Sequence, residues 1–412
     1  MAGGDRGRAA REAAEGAARL SYGRLVALLA GSTGDLALAE DALSEAFGSA
    51  LRTWPRSGVP DNPDGWLLTA ARNRIRDVWR SSAHRTAADL EEADHVAAVD
   101  PFADLDPDAI GDRRVALLFA CSHPDVDVGA RTPLMLQVVL GFEAADIARA
   151  YAVPSATMAQ RLVRAKARIR ARGVPFEVPG PGQLADRVPA VLEALHGCYA
   201  LTWHGAAGDA VHTSVAAEAR RLAVATAELL DDDPEAWGLA ASITFGVARA
   251  GGRAVGWYVP LDEQDPDRWD AALIAEAEGY LRRASALGRT GRFQLEAAIE
   301  AVHASRIRSD RIDWAALGTL HLALVHLAPT LGSRVALAAV LGSTDGPNVG
   351  LAAIDALGSA ADEFQPAWAT RAHLLVAAGD HRAARQAYDR AIALSDDGAV
   401  IAWLRARRDA VG

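Results

Sequence analysis

The sequence predicts an all-α protein, and three observations carry that expectation. Alanine dominates the composition, together with leucine, arginine and valine, which favours helix over sheet. Apolar residues recur at steps of three and four, while strand-type alternation is scarce. Aromatic residues make up 6% of the chain, so a sheet would lack its usual packing residues. At 412 residues the chain exceeds one ordinary domain, and two or three are expected. The patterning divides it into a helical bundle, a helix-turn-helix and a long helical-repeat extension.

The bundle comes first, over residues 15–87. Gly34-Asp35 precedes a helix with Leu38, Ala42, Ala46, Ala50 and Leu51 on one face and Glu40, Asp41 and Glu45 outward. After Trp54-Pro55 and the turn PDNPDG, a second helix starts near Gly65, with Trp66, Leu67, Ala70, Ile75 and Val78 able to pack. Its other face holds Arg72, Asn73, Arg74, Arg76, Trp79 and Arg80. Residues 88–112 carry nine carboxylates and no lysine or arginine, the composition of a mobile linker.

Residues 113–173 end in the most informative stretch, LGFEAADIARAYAVPSATMAQRLVRAKARIRAR. Ile147 and Ala148 face inward on a short first helix. Val153-Pro154-Ser155 turns, because proline disfavours helix at the residue before it, and Ser155 is placed to N-cap the next helix. Leu162, Ala165 and Ile169 form that helix's buried stripe, and the rest carries Gln160, Arg161, Arg164, Lys166, Arg168, Arg170 and Arg172 without an acid. A Gly/Pro-rich hinge, GVPFEVPGPG, leads to the extension over 183–412. Near its end, Trp368, Leu375, Gly379, Ala384, Tyr388 and Ala391 fall at tetratricopeptide spacing, with Gly379-Asp380 at the turn.

The chemistry of these faces points to nucleic acid. In a chain of net charge −10, the basic second helix of the helix-turn-helix is a local electrostatic footprint. Such a helix suits a major groove, where Ser155, Thr157, Gln160, Arg161, Arg164, Lys166 and Arg168 meet phosphates and base edges. Lys166 is the only lysine in the chain. The Arg72–Arg80 face adds aromatic rings and an amide to guanidinium groups, as single-stranded DNA requires. An operator reader needs one such helix. A protein that melts DNA and also grips an upstream duplex needs both.

Other chemistry is not signalled. Cys121 and Cys198 make no disulfide framework. His123, His196, His204 and His212 with those cysteines fit no four-ligand zinc spacing. The carboxylates of LDEQDPDRWD precede a helix, where Asp267 or Asp270 caps more naturally than it catalyses. No phosphate-binding loop, nucleophile elbow or dinucleotide fingerprint occurs. The expectation is a non-enzyme without cofactor or metal. No apolar signal core or membrane-length run is present, and a cytoplasmic protein is expected.

On these residues the chain resembles a known family. The run AEDALSEAF…W…NPDGWLLTAARNRIRDVWR is similar to region two of an extracytoplasmic-function sigma factor, a bacterial transcription initiation factor. Residues 113–172 resemble region four. ACSHPDVDVGARTPLMLQVVLGFEAADIARAYAVPSATMAQRLVRAKARIR is closer still to the subgroup with a C-terminal tetratricopeptide-like extension. The resemblance implies core RNA polymerase as partner, docked through the face around Glu40, Asp41, Glu45 and Phe47. It implies that Trp66, Arg72, Asn73, Arg76, Trp79 and Arg80 open and read the −10 element, and that the Ser155–Arg170 helix enters the −35 groove. The extension would be a regulator with a protein or intramolecular partner, and no membrane partner is implied. The chain departs from the subgroup at Trp203-His204-Gly205-Ala206, at Pro266, where arginine is general, and at Ala120-Cys121-Ser122, where a paired cysteine is usual. A helix-turn-helix regulator with a helical ligand-binding domain, and a tetratricopeptide scaffold, are the alternatives. Co-purification with core polymerase separates them from a sigma factor.

Overall fold

The computed structural model describes residues 2–87, 111–203, 210–252, 258–309 and 311–411. Most of the acidic linker and His204-Gly205-Ala206 lie outside the described residues. Every regular element among the described residues is an α-helix or a short 3-10 turn, as the composition predicts. The chain forms two compact units, 1–198 and 199–412.

The first unit opens with α1 (Ala2–Thr33), α2 (Leu36–Ser57) and α3 (Pro63–Ala87), packed on one another. Their core holds Leu25, Leu28, Leu29, Leu36, Leu43, Trp54, Leu67, Leu68 and Ile75. Asp35 caps α2 by accepting the Leu38 N–H at 3.1 Å. The buried stripe of α2 runs through Leu36, Ala39, Ala42, Leu43, Ala46, Ala50 and Trp54. It is rotated from the expected one: Leu51 stands 48% exposed, and Glu40 turns inward. The helix also runs through Pro55 to Ser57, because Trp54 is buried and keeps that last turn packed. Ser21 and Arg24 of α1 hold Asp64 at the head of α3, at 2.6 and 3.3 Å, so that helix starts at Pro63, ahead of Gly65.

The same unit continues with α4 (Gly111–Cys121), α5 (Val128–Val138), α6 (Ala144–Ala150), α7 (Ser155–Arg172) and most of α8 (Pro181–Trp203). α4 begins at Gly111, inside the segment expected to be linker to 112. Ile147 and Ala148 are buried on α6, as the helix-turn-helix pattern requires. α7 has Pro154 at its N-cap position with no side-chain cap, so Ser155 is its first residue and not its cap. Gly23 of α1 lies against the Val139 carbonyl, where an added Cβ would sit 1.9 Å from the oxygen. Only glycine permits that approach, and it ties the three-helix bundle to the helices that follow. The hinge does not end the unit: Arg187 of α8 is buried and donates to the Phe119 carbonyl at 3.4 Å.

The second unit contains α9 (Ala210–Leu230), α10 (Pro234–Ala248), α11 (Ala271–Ala286), α12 (Arg292–Ala304), the short α13 (Arg306–Ser309), α14 (Trp314–Leu327), α15 (Leu331–Thr344), α16 (Pro347–Asp355), α17 (Gln365–Ala377), α18 (His381–Ala393) and α19 (Gly398–Ala410). Successive helices pack as neighbours from α14 onward. Glu235 of α10 accepts the Phe293 and Gln294 N–H groups at the start of α12. Asp270 caps α11, and Asp265 caps the preceding 3-10 turn, so this acidic loop spends carboxylates on helix starts. Gly379 adopts φ +80° between α17 and α18, and Asp380 caps α18. Ala372, Ala384, Ala387, Tyr388 and Ala391 close that hairpin.

A polar cluster lies inside this helical core. Arg249 is 1% exposed and pairs with Glu300. Burial pushes the neighbouring His303 down to about 4, against the pull of Glu300 and with the help of Arg249, His321 and Arg306. Burial lowers His321 as well. A histidine whose folded pKa lies below its unfolded value stabilises fully above about 6.5 and loses that contribution as pH falls toward 4. At most about 3 kcal/mol rides on His303. Denaturant unfolding of the full chain should therefore show lower stability at pH 5 than at pH 7, and His303→Gln should flatten the difference. Equal pH dependence in the two proteins would show that His303 does not carry it.

Candidate nucleic-acid interface

Two basic helix faces form the candidate site, both in the first unit. On α3, Arg72, Arg76, Trp79 and Arg80 fall at helical spacing on one stripe, with Asn73 beside it. Asn73, Trp79 and Arg80 are exposed, and Arg72 and Arg76 are half-buried. The Asn73 Oδ1 accepts from Arg76 Nη1 at 3.3 Å, and Arg80 pairs with Asp77. Arg74 leaves this stripe and pairs with Glu45 of α2 at 2.6 Å. Trp66 lies two turns before Asn73 on the same side of α3, is half-buried like Arg72 and Arg76, and its ring meets Trp54 edge-on at 5.5 Å.

α7 divides its surface into four stripes. Met158, Leu162, Ala165 and Ile169 are buried. Arg161 and Arg168 donate to the Gly129 and Asp125 carbonyls, at 3.5 and 3.1 Å, and Arg172 pairs with the Asp125 carboxylate. These three therefore lean on the α4–α5 turn, although Arg168 stays exposed. Ser155, Thr157, Gln160 and Arg164 point to solvent, with Val163 66% exposed among them. On the fourth stripe, Lys166 Nζ sits 2.8 Å from Glu40 Oε1 of α2, and Arg170 Nε sits 3.1 Å from the Asp35 carboxylate.

That fourth stripe departs from the sequence reading. Lys166 and Glu40 were expected on separate outward faces, and here they hold each other with both side chains more than four-fifths buried. Tyr22 donates to the same Glu40 oxygen at 3.4 Å, and burial together with Glu40 pushes its phenol well above the usual range. Cys121 lies within reach of this pair, and burial raises its thiol far above the ordinary value. Cys198 is buried and raised in the same way, so neither cysteine has the character of a nucleophile or metal ligand. No metal-holding cluster of His, Cys, Asp and Glu occurs among the described residues. Asp41 and Glu45 are exposed and Phe47 is half-buried on α2.

Comparison with known proteins bears on what these faces are. Residues 18–85, which comprise the second half of α1 with α2 and nearly all of α3, match the family model described as sigma-70 region 2. The chain is also 32% identical over 167 residues to "Probable RNA polymerase sigma factor RfaY" of Xanthomonas campestris pv. campestris, covering 36% of this chain and 40% of that protein. The first three helices therefore carry a sigma-70 region 2 domain. It is 34% identical over 381 residues to "Uncharacterized protein R00370" of Rhizobium meliloti (strain 1021), across 91% of this chain and 90% of that protein. The two share one family over nearly their whole length. Residues 187–285 match a second model, a family of unknown function numbered DUF6596. That match starts within α8, inside the first compact unit, and runs to α11. No helix among the described residues is long and apolar enough to cross a membrane.

Sequence reasoning missed Asp35, Gly23 and the pairing of Glu40. Gly23 could not be singled out, since Gly16 and Gly31 lie in the same helix. Asp35 was visible only as a residue preceding a helix, and its second partner comes from a helix 135 residues later.

Proposed function

We propose that this protein is an alternative sigma factor of the extracytoplasmic-function class, with a C-terminal extension of tetratricopeptide type. It binds core RNA polymerase through the outward face of α2, where Asp41, Glu45 and Phe47 lie with Glu40 behind them. Asn73, Arg76, Trp79 and Arg80, with Arg72 and Trp66, take the −10 element as a single strand. The α7 face of Ser155, Thr157, Gln160, Arg161, Arg164, Lys166 and Arg168 takes the −35 element as duplex. The carrying observation is the α3 stripe, in which guanidinium, amide and indole groups lie exposed together within the region matched as sigma-70 region 2. The acidic segment between the regions resembles nucleic acid in charge, which suits the cationic RNA path of a polymerase. The spacing of Trp368, Gly379, Tyr388 and Ala391, and the α17–α18 hairpin they build, support the tetratricopeptide reading. The protein performs no catalysis of its own and works where the polymerase is, in the cytoplasm.

The test is transcription in vitro with core polymerase on a promoter library. The full-length protein is expected to co-purify with core polymerase and to start transcripts at discrete sites. An extension that follows α8 in the chain suits a built-in regulator of the DNA-reading helices. The expected result of removing the extension is a marked change in promoter-directed transcription, a loss if the extension supports the active form. α8 packs within the first unit, so the cut belongs after Cys198 and not after Arg172. Absence of polymerase binding would leave the helix-turn-helix regulator, and a truncated protein working at the full-length rate would remove the regulatory role.

A further inference from the structure

We propose that the core of the second unit holds a binding site for a small oxyanion, built around the buried Arg249 guanidinium and the Trp269 indole N–H. The site lies where the end of α10, the loop over 261–270 and α12 meet. The sigma-factor reading gives these residues no role, and the inference does not depend on it. Arg249 is 1% exposed, Gln264 4% and Trp269 5%. The Arg249 guanidinium sits against the Glu300 carboxylate as an ion pair. None of its three nitrogens has a hydrogen-bond partner among the described residues, and neither has Trp269 Nε1 or Gln264 Oε1. The Nδ1 atoms of His303 on α12 and His321 on α14 are without one as well. Buried polar atoms of folded proteins are hydrogen-bonded as a rule, so such a concentration in one corner of the fold points to a partner.

Three contacts draw these groups together. Gly252 donates its N–H to the Arg249 carbonyl at 3.0 Å, one 3-10 turn on. A Cβ at Gly252 would sit 2.6 Å from Trp269 Nε1 and 3.3 Å from Gln264 Oε1, so a glycine there leaves the indole N–H and the amide oxygen uncovered. The Arg306 guanidinium lies over the Trp269 ring at 5.5 Å and donates to the Leu261 and Gln264 carbonyls at 2.8 and 3.1 Å. The charges of the cluster do not balance. Arg249 and Arg306 bring two positive charges against one carboxylate, Glu300, while burial holds His303 and His321 toward the neutral form. The acids of the loop itself, such as Asp262, Asp265 and Asp267, are exposed to solvent. A buried cation is stable when it is both paired and hydrogen-bonded. Water can satisfy the hydrogen bonds but brings no charge. An oxyanion brings both, and the fork of a guanidinium matches its oxygens. Glu300 lies against Nη2 alone and is 27% exposed, so the cluster reaches solvent on its side.

The test uses the full-length chain, with inorganic phosphate, sulfate and acetate as probes, each against chloride at equal ionic strength. The readout is the indole N–H spectrum of the ten tryptophans. The Trp269 resonance is assigned through bonds in the wild-type chain and checked by Trp269→Phe. It should shift and saturate with an oxyanion and stay in place with chloride. Saturation by acetate and not by phosphate or sulfate marks a carboxylate ligand, and the reverse marks a phosphate or sulfate group. Arg249→Lys keeps the charge and loses the fork, and should weaken the binding by about tenfold or more. Arg308→Lys is the control: Arg308 is exposed and pairs with Glu278, and its variant should bind as the wild type does.

A second measurement does not depend on the variants. An anion that binds the folded chain and not the unfolded one raises the unfolding midpoint in proportion to its occupancy. Calorimetric titration of the wild-type chain should give one anion per chain, with the same affinity as the Trp269 shift, and the midpoint should rise over the same concentration range. A Trp269 resonance that stays in place with all three oxyanions, or moves equally with chloride, overturns the site and leaves the cluster to ordered water. A shift that persists at wild-type affinity in Arg249→Lys overturns it too, because the guanidinium is then not what holds the anion.

Discussion

Arg164→Ala is expected to weaken binding to −35 promoter duplex by about 1–3 kcal/mol, roughly 5- to 150-fold. Arg164 is exposed on the open stripe of α7 between Gln160 and Ala167, and its guanidinium reaches back only to the Gln160 carbonyl at 3.4 Å. A group so placed gives up little when it turns to a guanine edge or a phosphate. Arg161 differs. It is half-buried and leans on the Gly129 carbonyl, so Arg161→Ala removes packing as well as charge, and the measured loss would mix the two. Binding to core polymerase should persist in both variants. Gel shift and transcription from a native promoter measure the effect, and wild-type transcription by both variants would remove α7 from the promoter.

The local pattern of the chain was readable, and the tertiary pairing was not. The buried stripe Leu162, Ala165, Ile169 follows from helical period alone, as do Ile147 and Ala148 on α6. Capping was legible where a side chain had one local task, as at Asp270. It failed at Ser155, because the proline before it already supplies the extended residue that ends the turn, and the hydroxyl is left in solvent. The face of α2 was misjudged by part of a turn. Leu51 carries an apolar side chain into solvent, while Glu40 goes inward to Lys166 and Tyr22. Hydrophobicity places a glutamate outside by default. Only its partner on α7, 126 residues away, explains the exception. The same limit hid the extent of the first unit. The Gly/Pro-rich run after α7 reads as a domain boundary, yet Arg187 beyond it is buried against the end of α4.

Replacing Asn73 and Arg76 together by alanine should reduce open complex on duplex promoter DNA more than on a template already melted at the −10 element. The two side chains lie one helical turn apart on α3, and Arg76 Nη1 donates to Asn73 Oδ1 at 3.3 Å. That contact fixes the amide's oxygen and leaves its NH2 to meet a base edge, while Arg76 adds positive charge beside it. Stacking and backbone contacts of this kind contribute about 1–3 kcal/mol per base to holding a strand open. On duplex DNA this energy offsets the unpairing of the −10 step, so its loss falls directly on the melting equilibrium. On a pre-opened bubble the unpairing has already occurred, and the variant loses only affinity. Trp66, held edge-on against Trp54, should matter less to melting than Trp79, which stands exposed on the same stripe as Arg76. Permanganate reactivity of −10 thymines on duplex templates measures the bubble. A bubble of wild-type extent in the double variant would take α3 out of promoter opening, whatever α7 does at the −35 element.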